Sequence, residues 1–177
     1  MSVISRKKNE VREFFPDEWA IYKELRLRSL VDSPDAFGKT LAEEQERSDA
    51  EWSSRLLSGV QSDTDLPLIA KVNGQPIGLA WGRIEESKSD TANLYQMWVA
   101  PDHRSKGIGS LLLETIIAWA ETKNVSYLEL GVTFRDSPAL HLYKRYRFLP
   151  VGKPKEFRPG SDLLGQMMRL EIKKGTF

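Results

Sequence analysis

A chain of 177 residues, 40% of them hydrophobic, is the size of one domain and long enough to bury a full core without disulfide or metal staples. The absence of cysteine excludes a disulfide framework, a Cys-ligated zinc site, an iron–sulfur cluster and a thiol nucleophile. With 26 Lys+Arg against 25 Asp+Glu, the net charge of +1 lacks the basic excess that a general nucleic-acid binder needs. No apolar run approaches the ~20 residues that span a bilayer. The first residues also lack the apolar stretch of a signal peptide. The expected location is cytoplasmic, with neither a membrane nor a nucleic acid as partner.

Residues 1–9, rich in Ser, Lys and Arg, read as a flexible leader. Residues 10–177 read as one domain without internal repeats or low-complexity tracts. Val11–Phe15 suits a short strand. Pro16, with Asp17 and Glu18, then opens a helix that runs to about Leu30 and carries Trp19, Tyr22 and Leu25 at helical spacing. Ser33-Pro34-Asp35 stops it. A second helical region starts near Leu41. Ser48 and Glu51 form a capping-box pattern for a further helix through Trp52, Leu56 and Leu57, ending at Gly59.

At Leu66 the hydrophobic period changes. Leu66–Val72 and Ile77–Ile84 read as strands joined by Asn73-Gly74, the strongest short hairpin signal. A polar turn, Glu85–Asp90, precedes a third strand, Leu94–Val99. A basic loop, Pro101–Lys106, leads into a helix from Gly107 to about Lys123 with Ile108, Leu111, Leu112, Ile116 and Trp119 on its apolar face. Tyr127–Val132 is the next strand, and Asp136-Ser137-Pro138 caps a helix carrying Leu140 and Tyr143. Two strands, near Phe148–Val151 and Gln166–Ile172, close the chain. The order implies an α+β fold with one mixed, mostly antiparallel sheet flanked by helices, its parallel crossover running through the 107–123 helix.

The segment that carries chemistry is Arg104-Ser105-Lys106-Gly107-Ile108-Gly109-Ser110, between a strand and an amphipathic helix. Glycines at a helix start let backbone approach a ligand, and the first-turn N–H groups are unpaired and favour an anion. Arg104 and Lys106 add positive charge, so the segment suits a phosphate or pyrophosphate. On composition alone it would pass for an ordinary glycine-rich helix start. A dinucleotide fingerprint would need a third glycine where Leu112 stands. Gly38-Lys39-Thr40 imitates the end of a P-loop but lacks the earlier glycine, Ser33 standing at its place. His103 and His141 have no metal-ligand spacing, so no metal is expected.

The basic Arg-x-x-Gly-x-Gly loop follows Met97-Trp98-Val99-Ala100-Pro101. It is followed in turn by a strand, by Asp136-Ser137-Pro138-Ala139-Leu140-His141-Leu142-Tyr143, and by Phe148. In order and spacing this resembles the Gcn5-related N-acetyltransferases (GNAT) over roughly 66–152. The resemblance implies a single GNAT-like domain with helices on both sheet faces. Residues 10–65 would form the acceptor side, 66–152 the acetyl-coenzyme A core, and 153–177 a closing strand region. It implies acetyl-coenzyme A as co-substrate, bound at its pyrophosphate by Arg104, Lys106, Gly107, Ile108, Gly109 and Ser110. The pantetheine arm would meet the main chain of Met97 and Val99, with Asp136 standing where an Asn is common. The strand holding Met97 would splay from Tyr127–Val132 to make the slot, and Tyr143 would be the general acid for the leaving thiolate.

Two residues depart from the family pattern: Arg147 stands where Gly usually precedes the Phe, and Tyr146 where an aliphatic residue is usual. The implied reaction is acetyl transfer to a primary amine by direct attack in a ternary complex, with no covalent enzyme intermediate. The acceptor is left open between a small-molecule amine and a protein amine. The base is left open among Glu43, Glu44, Glu85, Glu86, Asn93, Gln96 and Glu129, none singled out by spacing. Trp19, Phe37, Trp52, Trp81 and Trp98 are available for an aromatic acceptor pocket, and the acids at 43, 44 and 46 for steering a cationic amine. Dimers are common in the resembled family, and nothing in the sequence decides the oligomeric state. A competing reading is a non-catalytic coenzyme A sensor or interaction module on the same fold. A nucleotide-phosphate binder lacks any complete motif.

Overall fold

The computed structural model describes residues 8–173. The expected leader over 1–9 falls mostly outside this range. Its last two residues are ordered: the Lys8 N–H donates to Asn73 Oδ1 at 2.9 Å, and Asn9 begins strand β1 (Asn9–Glu13), two residues earlier than expected. Pro16–Glu18 forms a 3-10 turn rather than α-helix. The Glu18 carboxylate turns back to the Phe15 N–H (2.7 Å) and to Arg12 Nη2 (2.7 Å), and helix α1 (Trp19–Asp32) follows. Helices α2 (Leu41–Gln45) and α3 (Asp49–Gln61) each start with a complete capping box, Thr40 with Glu43 and Ser48 with Glu51.

Gly59 does not end α3, which runs on to Gln61. A Cβ there would run into the indole of Trp81, so this glycine is a packing contact between helix and sheet rather than a terminator. Sequence patterns cannot separate the two roles, because a terminal glycine and a contact glycine look alike without the partner.

Strands β2 (Asp65–Val72) and β3 (Gln75–Ile84) form the expected hairpin, with positive φ at both Asn73 (50°) and Gly74 (79°), the geometry that Asn-Gly favours. Strand β4 (Thr91–Val99) starts three residues before Leu94, because its first residues pair parallel with β5 (Tyr127–Thr133). Helix α4 (Ile108–Thr122) makes the crossover between them. Leu111 is only partly buried in it, whereas Leu113 and Ala120 are buried beside Ile108, Leu112, Ile116 and Trp119. Helix α5 (Pro138–Arg145) precedes β6 (Leu149–Glu156) and β7 (Leu164–Glu171), both longer than the sequence suggested.

The sheet order is β1-β2-β3-β4-β5-β7-β6, antiparallel except for β4–β5. Adjacent residues of β3 show that helices cover both faces. Trp81 meets Gly59 of α3, while Gly82 packs under Trp119 and Ile116 of α4. Ile77 through Gly82 are therefore buried without alternation, as expected for a strand covered on both sides. On the α1/α3 face, Tyr22 joins Phe14, Trp52 and Trp81 with ring centroids 5.4–5.6 Å apart. No helix among the described residues is long and apolar enough to cross a membrane.

Candidate active site

The β4–β5 pairing stops after three residues. Asn93 meets Glu129, and beyond them β4 runs on to Val99 and β5 to Thr133 without contact in register. A bulge in β4 accompanies the split. Leu79 pairs with Trp98 and Trp81 with Tyr95, so Gln96 and Met97 together oppose Ala80. Gln96 takes a left-handed backbone (φ 56°), and its Oε1 accepts a hydrogen bond of 2.9 Å from the Tyr22 hydroxyl. A bulge bends its strand, and here it turns the edge of β4 away from β5. No glycine marks the position.

The gap opens into a cleft of about 1820 Å³, large enough for a ligand of nucleotide size and an acceptor together. At one end stands the start of α4. Gly107 is its N-cap in left-handed conformation (φ 84°), and the first helical bond runs from the Leu111 N–H to the Gly107 carbonyl at 3.0 Å. The N–H groups of Ile108, Gly109 and Ser110 are thereby left open, at the positive end of the helix dipole. An added Cβ at Gly109 would lie at 3.5 Å from Leu142 and 4.0 Å from Met97, so α5 and β4 close on this helix start. The open donors and the free β4 edge fit a diphosphate followed by an amide-bearing arm.

Among the residues the sequence pointed to, the cleft brings together Met97, Val99, Arg104, Gly107, Gly109, Ser110 and Tyr143. The Ile108 side chain is in the core, leaving only its N–H for the site. Lys106 donates to the Asp102 carbonyl (3.0 Å) and lies outside the cleft lining. Asp136 points into solvent, its side chain 90% exposed and paired with His141 rather than with the cleft. Arg104 is not a free cation. Its Nε donates to the Val99 carbonyl at 2.9 Å and its Nη2 to Asp32, which also accepts from Trp98 Nε1 at 2.9 Å. No signal along the chain pointed to Asp32, which reaches residues 66 and 72 positions away.

Tyr143 is 7% exposed, its ring tilted against Phe148 at 5.8 Å, and burial pushes its phenol up to about 12. The aromatic set divides. Phe37, Trp81 and Trp98 line the cleft, Trp52 is wholly buried, and Trp19 packs elsewhere. The carboxylates divide too. Burial alone would raise Glu129, but hydrogen bonds from Arg169 (2.6 Å) and Lys88 (3.1 Å) outweigh it and hold it low. Glu44 is buried among Arg26, Arg47 and Arg55. Glu43 is used in capping α2. Glu85 lines the cleft, its carboxylate without an ion pair or hydrogen bond among the described residues.

The pattern of the Acetyltransferase (GNAT) family matches residues 14–148, three-quarters of the chain, including β4, α4, β5 and α5 around the cleft. The chain belongs to the GNAT acetyltransferase family. It is 31% identical over 105 residues to an uncharacterized N-acetyltransferase of Methanocaldococcus jannaschii, covering 56% of this chain and 45% of that protein. It is 30% identical over 133 residues to the streptothricin acetyltransferase of Streptomyces lavendulae, covering 75% and 64%. The matched segments thus span about half to two-thirds of these relatives' own lengths. In fold it is similar to an acetyltransferase structure from Salmonella typhimurium, with a TM-score of 0.73 at 20% identity over 96% of this chain and 97% of the other.

Proposed function

We propose that the protein is an N-acetyltransferase that moves an acetyl group from acetyl-coenzyme A to a primary amine by direct attack in a ternary complex. One observation carries the reading: the glycine-rich start of α4 with its open N–H groups, the unpaired edge of β4 and Tyr143 all line one cleft. Family membership supports it, as does a structural neighbour solved with its cofactor acetyl-CoA. A cytoplasmic location belongs to the same reading.

The helix start would hold the diphosphate, with Arg104 beside it, and the main chain of Met97 and Val99 would hold the pantetheine amides. Bound there, the donor supplies an activated acyl carbon with a thiol leaving group. The N–C bond forms as the C–S bond breaks, the amine proton leaves to a base or water, and the sulfur takes a proton. An N–H on the free β4 edge would stabilise charge on the carbonyl oxygen, an effect worth about 3 kcal/mol per donor. Tyr143 would donate the sulfur's proton, since burial keeps its phenol protonated at every working pH. Glu85, the unpaired cleft carboxylate, is the group left to accept the amine proton, directly or through water. Thiol release from acetyl-coenzyme A over a panel of small-molecule and peptide amines tests the reading. Turnover with at least one amine is expected, and none despite proven donor binding would reject catalysis.

A further inference from the structure

We propose that the acceptor end of the cleft is a carboxylate subsite, in which Arg26 and Arg55 receive the carboxylate of a free amino acid whose amino group is the one acetylated. This rests on the acetyltransferase reading and names the substrate class of the same site.

The observation is an unbalanced charge cluster where three helices meet. Glu44 of α2 is wholly buried, and its two oxygens serve three guanidinium groups: Arg26 Nε at 3.4 Å, Arg55 Nη1 at 3.0 Å and Arg47 Nε at 3.1 Å. One negative charge against three leaves a surplus of two. Arg47 is one-third exposed and lies off the cleft, whereas Arg26 and Arg55 both line it. Arg26 is the anomaly. It is 3% exposed, its contact to Glu44 is longer than a charge-assisted hydrogen bond prefers, and its Nη1 has no acceptor among the described residues. A purely structural buried ion pair closes its own hydrogen bonds, because a buried guanidinium with an open N–H is costly.

The other cations at this end are more nearly balanced. Arg83 is paired with Asp65 at 2.7 Å, and Lys88 and Arg169 share Glu129, a surplus of one rather than two. Of the acids at 43, 44 and 46, Glu44 is neutralised by its arginines and Glu43 caps its helix.

Geometry selects the ligand. The Arg26 guanidinium lies over the Phe37 ring at 4.9 Å, a cation–π contact that helps to hold it in place. Two guanidiniums offering forked donors suit a carboxylate. Arg55 stands 6.0 Å from the Tyr22 ring, and the Tyr22 hydroxyl holds Gln96 at the bulge where β4 leaves β5. One buried tyrosine behind the cleft wall therefore touches both the arginine subsite, through Arg55, and the bulge at the slot, through Gln96. A free amino acid carries a carboxylate for the first and an amine for the second.

The test uses the full chain. Thiol release is measured with the proteinogenic amino acids, each beside its decarboxylated amine and its amide, and with O-phosphoethanolamine. Calorimetry of the same compounds on the coenzyme A-saturated protein gives a readout independent of turnover. At least one amino acid is expected to exceed its decarboxylated and amide partners by about 10- to 100-fold in kcat/KM or affinity. Arg55→Gln should bring that ratio close to one through the amino acid's KM, with the KM for acetyl-coenzyme A unchanged, and Arg55→Lys should restore part of it. A merely structural Arg55 would lower every acceptor alike. Acetyl-coenzyme A binding without any preference for carboxylates, equal loss for all acceptors in Arg55→Gln, or preference for the phosphate compound would overturn the subsite while leaving the acetyltransferase reading intact. Failure of acetyl-coenzyme A to bind at all would remove both.

Discussion

The Tyr143 hydroxyl has no hydrogen-bond partner among the described residues, while the ring below it is packed on Phe148. Such a phenol is held by packing, so removing its oxygen should cost the fold little. Tyr143→Phe is expected to lower kcat about 100-fold while the KM for acetyl-coenzyme A stays the same. Steady-state kinetics with thermal denaturation would separate this from a folding defect. Arg147 makes a different point. It closes α5 with φ 66°, a conformation that costs a side-chain-bearing residue roughly 1 kcal/mol and glycine nothing. Arg147→Gly should therefore raise the melting temperature by about 2–4 °C, and an unchanged or lower value would contradict the strain. Tyr146, beside it, donates to Glu114 and ties α5 to α4, a use that an aliphatic residue could not serve.

Helix α4 depends on two glycines for two reasons. Gly107 needs its left-handed backbone, so Gly107→Ala should destabilise the protein by about 1–2 kcal/mol and also weaken coenzyme A binding. Gly109 has ordinary φ, and a methyl there meets Leu142 at an acceptable 3.5 Å. Gly109→Ala should keep its stability yet lose affinity, because the methyl stands among the open N–H groups. Urea denaturation and calorimetry with coenzyme A would show the two effects coupled in the first variant and separate in the second. The β4 bulge is the matching device on the sheet side, held in a left-handed residue by the Tyr22 hydroxyl.

Across the whole molecule, buried ionisable groups define a pH window of stability. Burial would raise Glu44, Glu129 and Asp32, but the arginines around Glu44, Arg169 and Lys88 at Glu129, and the Trp98, Ser33 and Arg104 bonds to Asp32 bring each below its usual value. The Arg12 hydrogen bond does the same for Glu18. In each case the unfolded chain binds the proton more tightly, so this stability is present above about pH 4.5 and lost as pH falls through the folded values. Tyr22 and Tyr143 are raised by burial, so the folded chain holds their protons more tightly. Their contribution is complete below about pH 10 and lost as pH climbs through the raised folded values, about 12 for Tyr143. Urea midpoints measured against pH should fall at both ends, and Tyr143→Phe should flatten the alkaline fall. A symmetric loss in that variant would argue against the assignment.

The features legible in the sequence are those whose causes lie within a few residues. Asn73-Gly74 makes its turn through its own backbone preferences, Ser48 and Glu51 cap α3 across three residues, and the glycine-rich start of α4 is written in consecutive positions. The family order of loop, strand and tyrosine helix added the rest of the fold, because spacing along the chain survives when contacts cannot be seen. Only the tertiary structure decided that Gly59 seats Trp81, that β4 leaves β5 after Asn93, that Asp32 ties Arg104 and Trp98, and that Glu44 is shared by three arginines. Each of these joins residues brought together by packing, and the free energy that selects them belongs to the buried pair rather than to either residue alone.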